Sequence, residues 1–205
     1  MLLLLKIIIF GIPAVLAVTV HEVAHGWVAN RLGDPTAAQL GRLSLNPLRH
    51  VDPVGTVLVP ALVYLSSGFF FGWAKPVPVN WRNLRHLRRD VALVAAAGPL
   101  SNLLMLLGWT AVLRAFGDSA LIALMSWTGI GFNATIMLLN LLPVPPLDGS
   151  RIVTSVLPAR LAVRYNRIEP FGLVILVVLL ATGVVGAILG PGLAGIDTLV
   201  HALLR

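Results

Sequence analysis

His21-Glu22-Val23-Ala24-His25 is an H-E-x-x-H pattern set inside an apolar run of the chain. On an α-helix, residues four apart lie about 40° apart around the axis and one turn apart along it, so both imidazoles can reach one ion. Two imidazoles suit zinc, and the carboxylate between them is placed to act on a zinc-activated water rather than to bind the metal. The competing reading is a polar patch or structural His pair used for interhelical hydrogen bonds, which would need neither this spacing nor the intervening carboxylate.

A catalytic zinc also needs a third protein ligand and an open position. The chain has no cysteine, which excludes thiolate ligands, disulfides and cysteine nucleophiles. His50, His86, Asp34, Asp52, Asp90 and Asp118 lie in loops beside helix breakers or arginines, Glu169 follows a basic loop, and Asp197 and His201 fall near the C-terminus. Asp148 differs. It follows Asn140-Leu141-Leu142-Pro143-Val144-Pro145-Pro146-Leu147, where prolines break a long apolar segment without making it polar. An acid on non-helical backbone at membrane depth must line a protein or water-filled cavity. The alternative is that Asp148-Gly149 is a turn at the membrane surface.

The elements that must position these groups are membrane helices. Of 205 residues, 58% are apolar and 11% charged, against roughly 25% charged in a soluble domain. The expected fold is an all-α polytopic membrane protein of about four spanning helices. Met1 to about Leu32 reads as one helix ending at Gly33-Asp34-Pro35, and Val91 to Leu113 and Ala120 to Leu142 read as a hairpin of uncharged spans. Phe171 to Leu189 reads as the fourth, ending at Gly190-Pro191-Gly192, with an interfacial helix after it. Val54 to Phe71 is a shorter apolar piece, either a thin crossing or a re-entrant segment. Leu43 and Leu45, and Val77, Val79 and Trp81, alternate with other residues on its two sides and predict short membrane-associated β strands. No repeat or linker is evident, so residues 1–205 read as a single domain with its core at 12–156 and a C-terminal helix and tail at 171–205.

The formal net charge of +7 bears on topology, not on nucleic acid as a partner. If Val54 to Phe71 does not cross, 12 of the 15 Lys and Arg residues share one face, leaving Lys6, Arg114 and Arg205 for the other. The positive-inside rule then puts the basic loops and the active-site side in the cytoplasm and the N-terminus outside.

H-E-x-x-H in a spanning helix, followed by Asn140-Leu141-Leu142-Pro143 and Leu147-Asp148-Gly149, resembles the site-2 protease family of intramembrane zinc metalloproteases. Gly98-Pro99-Leu100-Ser101-Asn102 is similar to that family's G-P-x-x-N element, and the likeness is to compact bacterial members without a PDZ or CBS domain. The resemblance implies that His21, His25 and Asp148 bind one zinc per chain and that Glu22 is the general base. It implies a substrate that is a transmembrane protein or peptide, in a bacterial cell membrane. Asn102 and Asn140 are candidates for binding substrate or supporting the Asp148 loop; the plainer alternative is interhelical bonding. Gly98-Pro99 reads as close helix packing near a helix start. Two rival functions remain from the sequence: a non-proteolytic protein that binds or escorts transmembrane helices on the same fold, and a zinc transporter. Oligomeric state is not readable from the chain.

Overall fold

The computed structural model describes residues 2–58 and 75–205. Its first helix is α1 (Leu2–Lys6), which runs through a π-helical turn at Ile7–Gly11 into α2 (Ile12–Leu32). Pro13 follows the π-helical turn directly, and Gly33 ends α2 in the left-handed region at φ 117°. There the Asp34 amide donates back to the Ala29 carbonyl at 2.9 Å. A short α3 (Thr36–Gln39) follows, then α4 (Leu87–Phe116), α5 (Ala120–Asn140), α6 (Asp148–Val156), α7 (Ala159–Asn166), α8 (Gly172–Ala181) and α9 (Val184–Leu204).

Among the described residues, four helical stretches are long and apolar enough to cross a membrane: Leu4–Leu32, Leu87–Phe116, Ala120–Asn140 and Val184–Leu204. The first three pack together, α6 lies against α4, and α9 lies against α5 and α4. One apolar cluster of Leu106, Leu113, Ile130, Ala134 and Val200 joins α4, α5 and α9, and another of Ala29, Leu84 and Val94 joins α2 to α4. Backbone bonds bring the chain ends of the elements together. The Arg85 amide donates to the Leu32 carbonyl at 3.2 Å and the Lys75 amide to the His50 carbonyl at 2.9 Å, so the segment between α2 and α4 leaves and returns at one end of the bundle. At the opposite end Arg114 donates to the Leu203 carbonyl, which places the end of α9 beside the end of α4.

Three expectations are corrected. The fourth candidate span is Val184–Leu204, not Phe171 to Leu189, because the break falls at Gly183, at φ 76°, while the helix runs through Gly190-Pro191-Gly192. The tail expected to be interfacial is thus part of that span. Pro99 is likewise inside α4, not near its start. Finally, no strand is present among the described residues. Pro76 and Pro78 have no amide to give to a ladder, and the amides of Lys75, Val77 and Asn80 are committed to the His50 carbonyl and the Glu22 and Asp34 carboxylates. Alternation of apolar residues in Val77 to Trp81 is therefore the pattern of a proline-stiffened strap. The re-entrant expectation for Val54 to Phe71 lies outside the described residues beyond Leu58; Pro53–Leu58 is a π-helical turn.

Candidate metal centre

The parallel carbonyl ladder of α2 sets His21 and His25 one above the other, with ring centroids 4.7 Å apart and planes nearly perpendicular. Asp148 arrives from the first turn of α6. The three prolines between Leu142 and Leu147 end the α5 direction, and Gly149 lets the new helix start against the old one: a Cβ there would lie 2.3 Å from the Leu141 carbonyl oxygen. The result is a triangle of donor atoms. His21 Nε2 and His25 Nε2 are 3.1 Å apart, and Asp148 Oδ2 lies 3.2 Å from the first and 3.3 Å from the second. The side chains are 7%, 12% and 17% exposed, respectively, so the triangle is enclosed with its more open edge at Asp148.

Which ring nitrogens carry hydrogen follows from carbonyls that can only accept. His25 Nδ1 is 2.7 Å from the Val94 carbonyl oxygen, so it must donate, and the Nε2 of a neutral ring is left with a lone pair. His21 is reached through two amides. Asn133 Nδ2 donates to the Gly129 carbonyl at 2.8 Å, which turns its Oδ1 toward Asn102 Nδ2 at 2.9 Å. Asn102 Nδ2 also donates to the Ala17 carbonyl, so its Oδ1 faces His21 Nδ1, 2.6 Å away, and accepts from it. Both imidazoles thus present Nε2 lone pairs to each other and to a carboxylate oxygen that is buried and without a hydrogen-bond partner. Three electron-rich atoms converging in a buried site repel one another unless a cation lies among them. Two imidazoles and one carboxylate are a donor set that zinc takes, and these are the three residues that could hold a metal ion among the described residues.

Glu22 is fixed from outside the triangle. Its Oε2 accepts from the Val77 amide at 2.8 Å, so the strap at 75–84 fixes one oxygen of the carboxylate. Gly26 makes room for this strap, since a Cβ there would lie 2.7 Å from Val77 Cγ1 and 2.6 Å from Leu43 Cδ2. Behind the triangle, α4 approaches so closely that a Cβ on Gly98 would stand 2.4 Å from His25 Nε2 and 2.5 Å from His21 Cε1. The Asp148 loop is anchored by the following segment. Tyr165 donates to the Pro143 carbonyl at 2.7 Å, Thr154 donates to Asn166 Oδ1 at 3.0 Å, and Arg151 pairs with Glu169.

The sequence-derived residues therefore divide. His21, His25 and Asp148 meet, Glu22 stands beside them, and Asn102 bonds His21. Asn140 does not join them: its Nδ2 donates to Ile136 on its own helix at 3.0 Å. Other acids and histidines bond away from the triangle. Asp90 accepts from the His86 amide and Arg89 at the start of α4, and His50 donates to the Ser44 carbonyl. Sequence reasoning missed Asn133, the Val94 carbonyl, the Val77 amide and the place of Gly98. A second amide in an apolar span, seven residues before Asn140, was the signal for Asn133.

The family model described as Peptidase family M50 matches residues 110–183. A Bacillus subtilis (strain 168) protein named as a zinc metalloprotease, YwhC, is 38% identical, over 92% of this chain and 87% of its own length. Proteins of Mycolicibacterium smegmatis and Mycobacterium tuberculosis H37Rv, both named as zinc metalloprotease Rip2, are 32% and 35% identical. The matched regions take in 82% and 63% of this chain and 64% and 49% of those proteins. No solved structure matches the chain.

Proposed function

Because this chain belongs to peptidase family M50, the zinc-dependent site-2 protease family, and carries apolar helices long enough to span a bilayer, we propose that it is an intramembrane zinc metalloendopeptidase. Its substrates in this reading are peptide bonds in or near transmembrane segments of other membrane proteins. The observation that carries it is the convergence of His21 Nε2, His25 Nε2 and Asp148 Oδ2, with both imidazole tautomers set by carbonyl acceptors.

Zinc, when bound by these three residues, supplies Lewis acidity that polarises a peptide carbonyl and acidifies a water. The chain's own residues do the rest. Asn102 and the Val94 carbonyl hold the imidazoles in the ligating tautomer, so no protein reorganisation is needed when substrate enters. Glu22, steadied by the Val77 amide, takes the proton of the attacking water and hands it to the leaving amine. Asn102 is a tautomer-setting residue in this scheme, and Asn140 stiffens the end of α5 ahead of the Asp148 loop. A transmembrane helix keeps its carbonyls in its own hydrogen bonds, so the substrate unwinds locally before cleavage. The residues that would hold the metal lie toward the end of the bundle bearing 12 of the 15 Lys and Arg residues, and the positive-inside rule orients that end to the cytoplasm with the N-terminus outside.

The test is Glu22→Gln in protein reconstituted in lipid with a single-pass substrate. Purified wild type should hold about one zinc and cleave; the variant should keep the zinc and lose about 10²–10⁴-fold in rate. Full cleavage by the variant overturns the general-base assignment, and a wild type that binds no zinc overturns the metal site.

A further inference from the structure

Asp34 is fully buried and has no place in the chemistry above, yet its carboxylate gathers four hydrogen bonds. Oδ1 accepts from the Thr36 amide at 3.2 Å, from the Thr36 hydroxyl at 2.5 Å and from Asn83 Nδ2 at 2.9 Å, while Oδ2 accepts from the Asn80 amide at 2.7 Å. The Thr36 bonds are local and serve α3. Those to Asn80 and Asn83 reach 46 and 49 residues along the chain, to the strap that carries Val77.

That strap has no strand partner among the described residues, so beside the packing of Val77 and Leu84 against α2 its backbone is held by a few discrete ties. Upstream of Val77, the Lys75 amide bonds His50, and Arg42 donates to the Lys75 and Pro76 carbonyls at 3.0 and 3.3 Å. Downstream, the ties nearest Val77 are the two made by Asp34, followed by the Arg85 amide on Leu32. Between Val77 and Asn80 lie only Pro78 and Val79, and proline fixes its own φ and restricts the residue before it, which is Val77. The link from Asp34 Oδ2 to the Val77 amide is therefore short and stiff. Asp34 itself stands two residues past the helix that holds Glu22, anchored there by its amide on Ala29. A closed frame results: Glu22, α2, Asp34, Asn80, Pro78, Val77 and back to Glu22.

We infer that Asp34 is a positioning residue for Glu22, holding the strap so that the Val77 amide aims the Glu22 carboxylate. The inference rests on the proposed general-base role of Glu22. It separates two groups of residues that serve different parts of one site: Asn102, Asn133 and Val94 act on the zinc ligands, while Asp34, Asn80 and Pro78 act on the base. Replacing Asp34 with Asn turns an amide NH2 toward either the Asn80 amide or the donors of Thr36 and Asn83, so at least one strap or α3 bond is lost to donor–donor opposition.

The test uses the full chain, zinc-loaded and reconstituted in lipid, with zinc affinity measured beside steady-state kinetics. Asp34→Asn should keep wild-type zinc affinity, lose about 10–100-fold in kcat and hold KM within about threefold, since a misaimed base slows chemistry without touching metal or substrate affinity. Hydrogen exchange in the 75–85 peptide should rise in the same variant. Pro78→Gly, which leaves Asp34 intact and loosens the link, should lower kcat in the same pattern, and the double variant should fall no further than the lower single. Should Asp34→Asn fail to fold, Asn83→Leu removes one strap tie only, and it and Pro78→Gly carry the same readouts. Unchanged kcat, zinc affinity falling in step with activity, or multiplicative losses in the double variant would each overturn the inference. Glu22→Gln is the control that separates the two claims. If it stays active, the reading of the site fails; if it is inactive while Asp34→Asn is fully active, the positioning role alone fails.

Discussion

Gly98 in α4 and Gly190 in α9 occupy helices of similar apolar character, yet their surroundings are opposite. A Cβ added at Gly98 would fall within 2.6 Å of the imidazoles of both His21 and His25, whereas at Gly186, Gly190 and Gly195 it would meet nothing within 4 Å. Polar bonding follows the same division. Asn133, Asn102, His21 and His25 link α5, α4 and α2 through buried side-chain bonds, while α4 meets α9 through the exposed Arg114 side chain donating to the Leu203 carbonyl. Interhelical hydrogen bonds in membranes contribute only about 0.6 kcal/mol each, so the buried network is poorly explained as a stability device. Its specific effect is to leave two Nε2 lone pairs aimed at Asp148. One interface is built to hold atoms in place, and the other to complete the bundle.

The largest effect expected from this contrast is at Gly98. Gly98→Ala puts a methyl group where His25 Nε2 must sit, and zinc binding and cleavage should both be lost, beyond the about 10–100-fold typical of outer-shell changes. Zinc content by mass spectrometry of the purified protein checks it, with normal zinc in a folded variant counting against the close approach of α4. Next comes Asn102→Leu, which removes the acceptor that fixes the His21 tautomer and should weaken zinc by about 10–100-fold. Asn133→Leu should cost less than Asn102→Leu, because the Ala17 carbonyl still orients Asn102. A competition titration with a chelator ranks the two, and the reverse order would break the proposed chain of amides.

How much of this was legible in the sequence depends on what each residue competes with. His21, Glu22, His25 and Asp148 stood out because a chain with two Glu and six Asp among 205 residues offers few other carboxylates at membrane depth. The two central spans and the Gly33 stop were legible from uncharged runs and a breaker cluster. The strap was not, because Val77, Val79 and Trp81 keep a period of two whether or not backbone donors exist to form a ladder, and prolines at 76 and 78 remove them. The fourth span was misplaced for a related reason: Gly190-Pro191-Gly192 is a stronger breaker by composition than Gly183, but the left-handed turn forms at Gly183. Gly98 was visible as a packing residue, and only three-dimensional contact shows that it packs on His21 and His25.

Smaller effects should appear where the contrast predicts tolerance or purely local consequences. Burial works to raise the Asp34 pKa, but the bonds from Thr36, Asn83 and Asn80 outweigh it and hold the carboxyl below its ordinary value. A carboxylate depressed in the folded state contributes stability that is fully present above its unfolded value of about 3.9 and is lost as pH falls through the folded value. Thermal melts of wild type and Asp34→Asn should therefore differ at pH 7, and the gap should close only below about pH 4. A gap already closing near pH 6 would mean that another group titrates with it.

Gly190→Ala should have the smallest effect and is the sharpest control for the comparison. Alanine is favoured over glycine in a helix interior by up to about 1 kcal/mol, and no neighbour stands in the way of the added methyl. Melting temperature should stay level or rise slightly, with zinc affinity and kcat unchanged. If Gly190→Ala lowered zinc affinity as Gly98→Ala is expected to, α9 would have to transmit packing changes to the ligands through α5. The division between a geometry-holding interface and a bundle-completing one would then be wrong. A neutral Gly190→Ala beside a metal-free Gly98→Ala would instead show that the same substitution in two membrane helices is read out through what stands across from it.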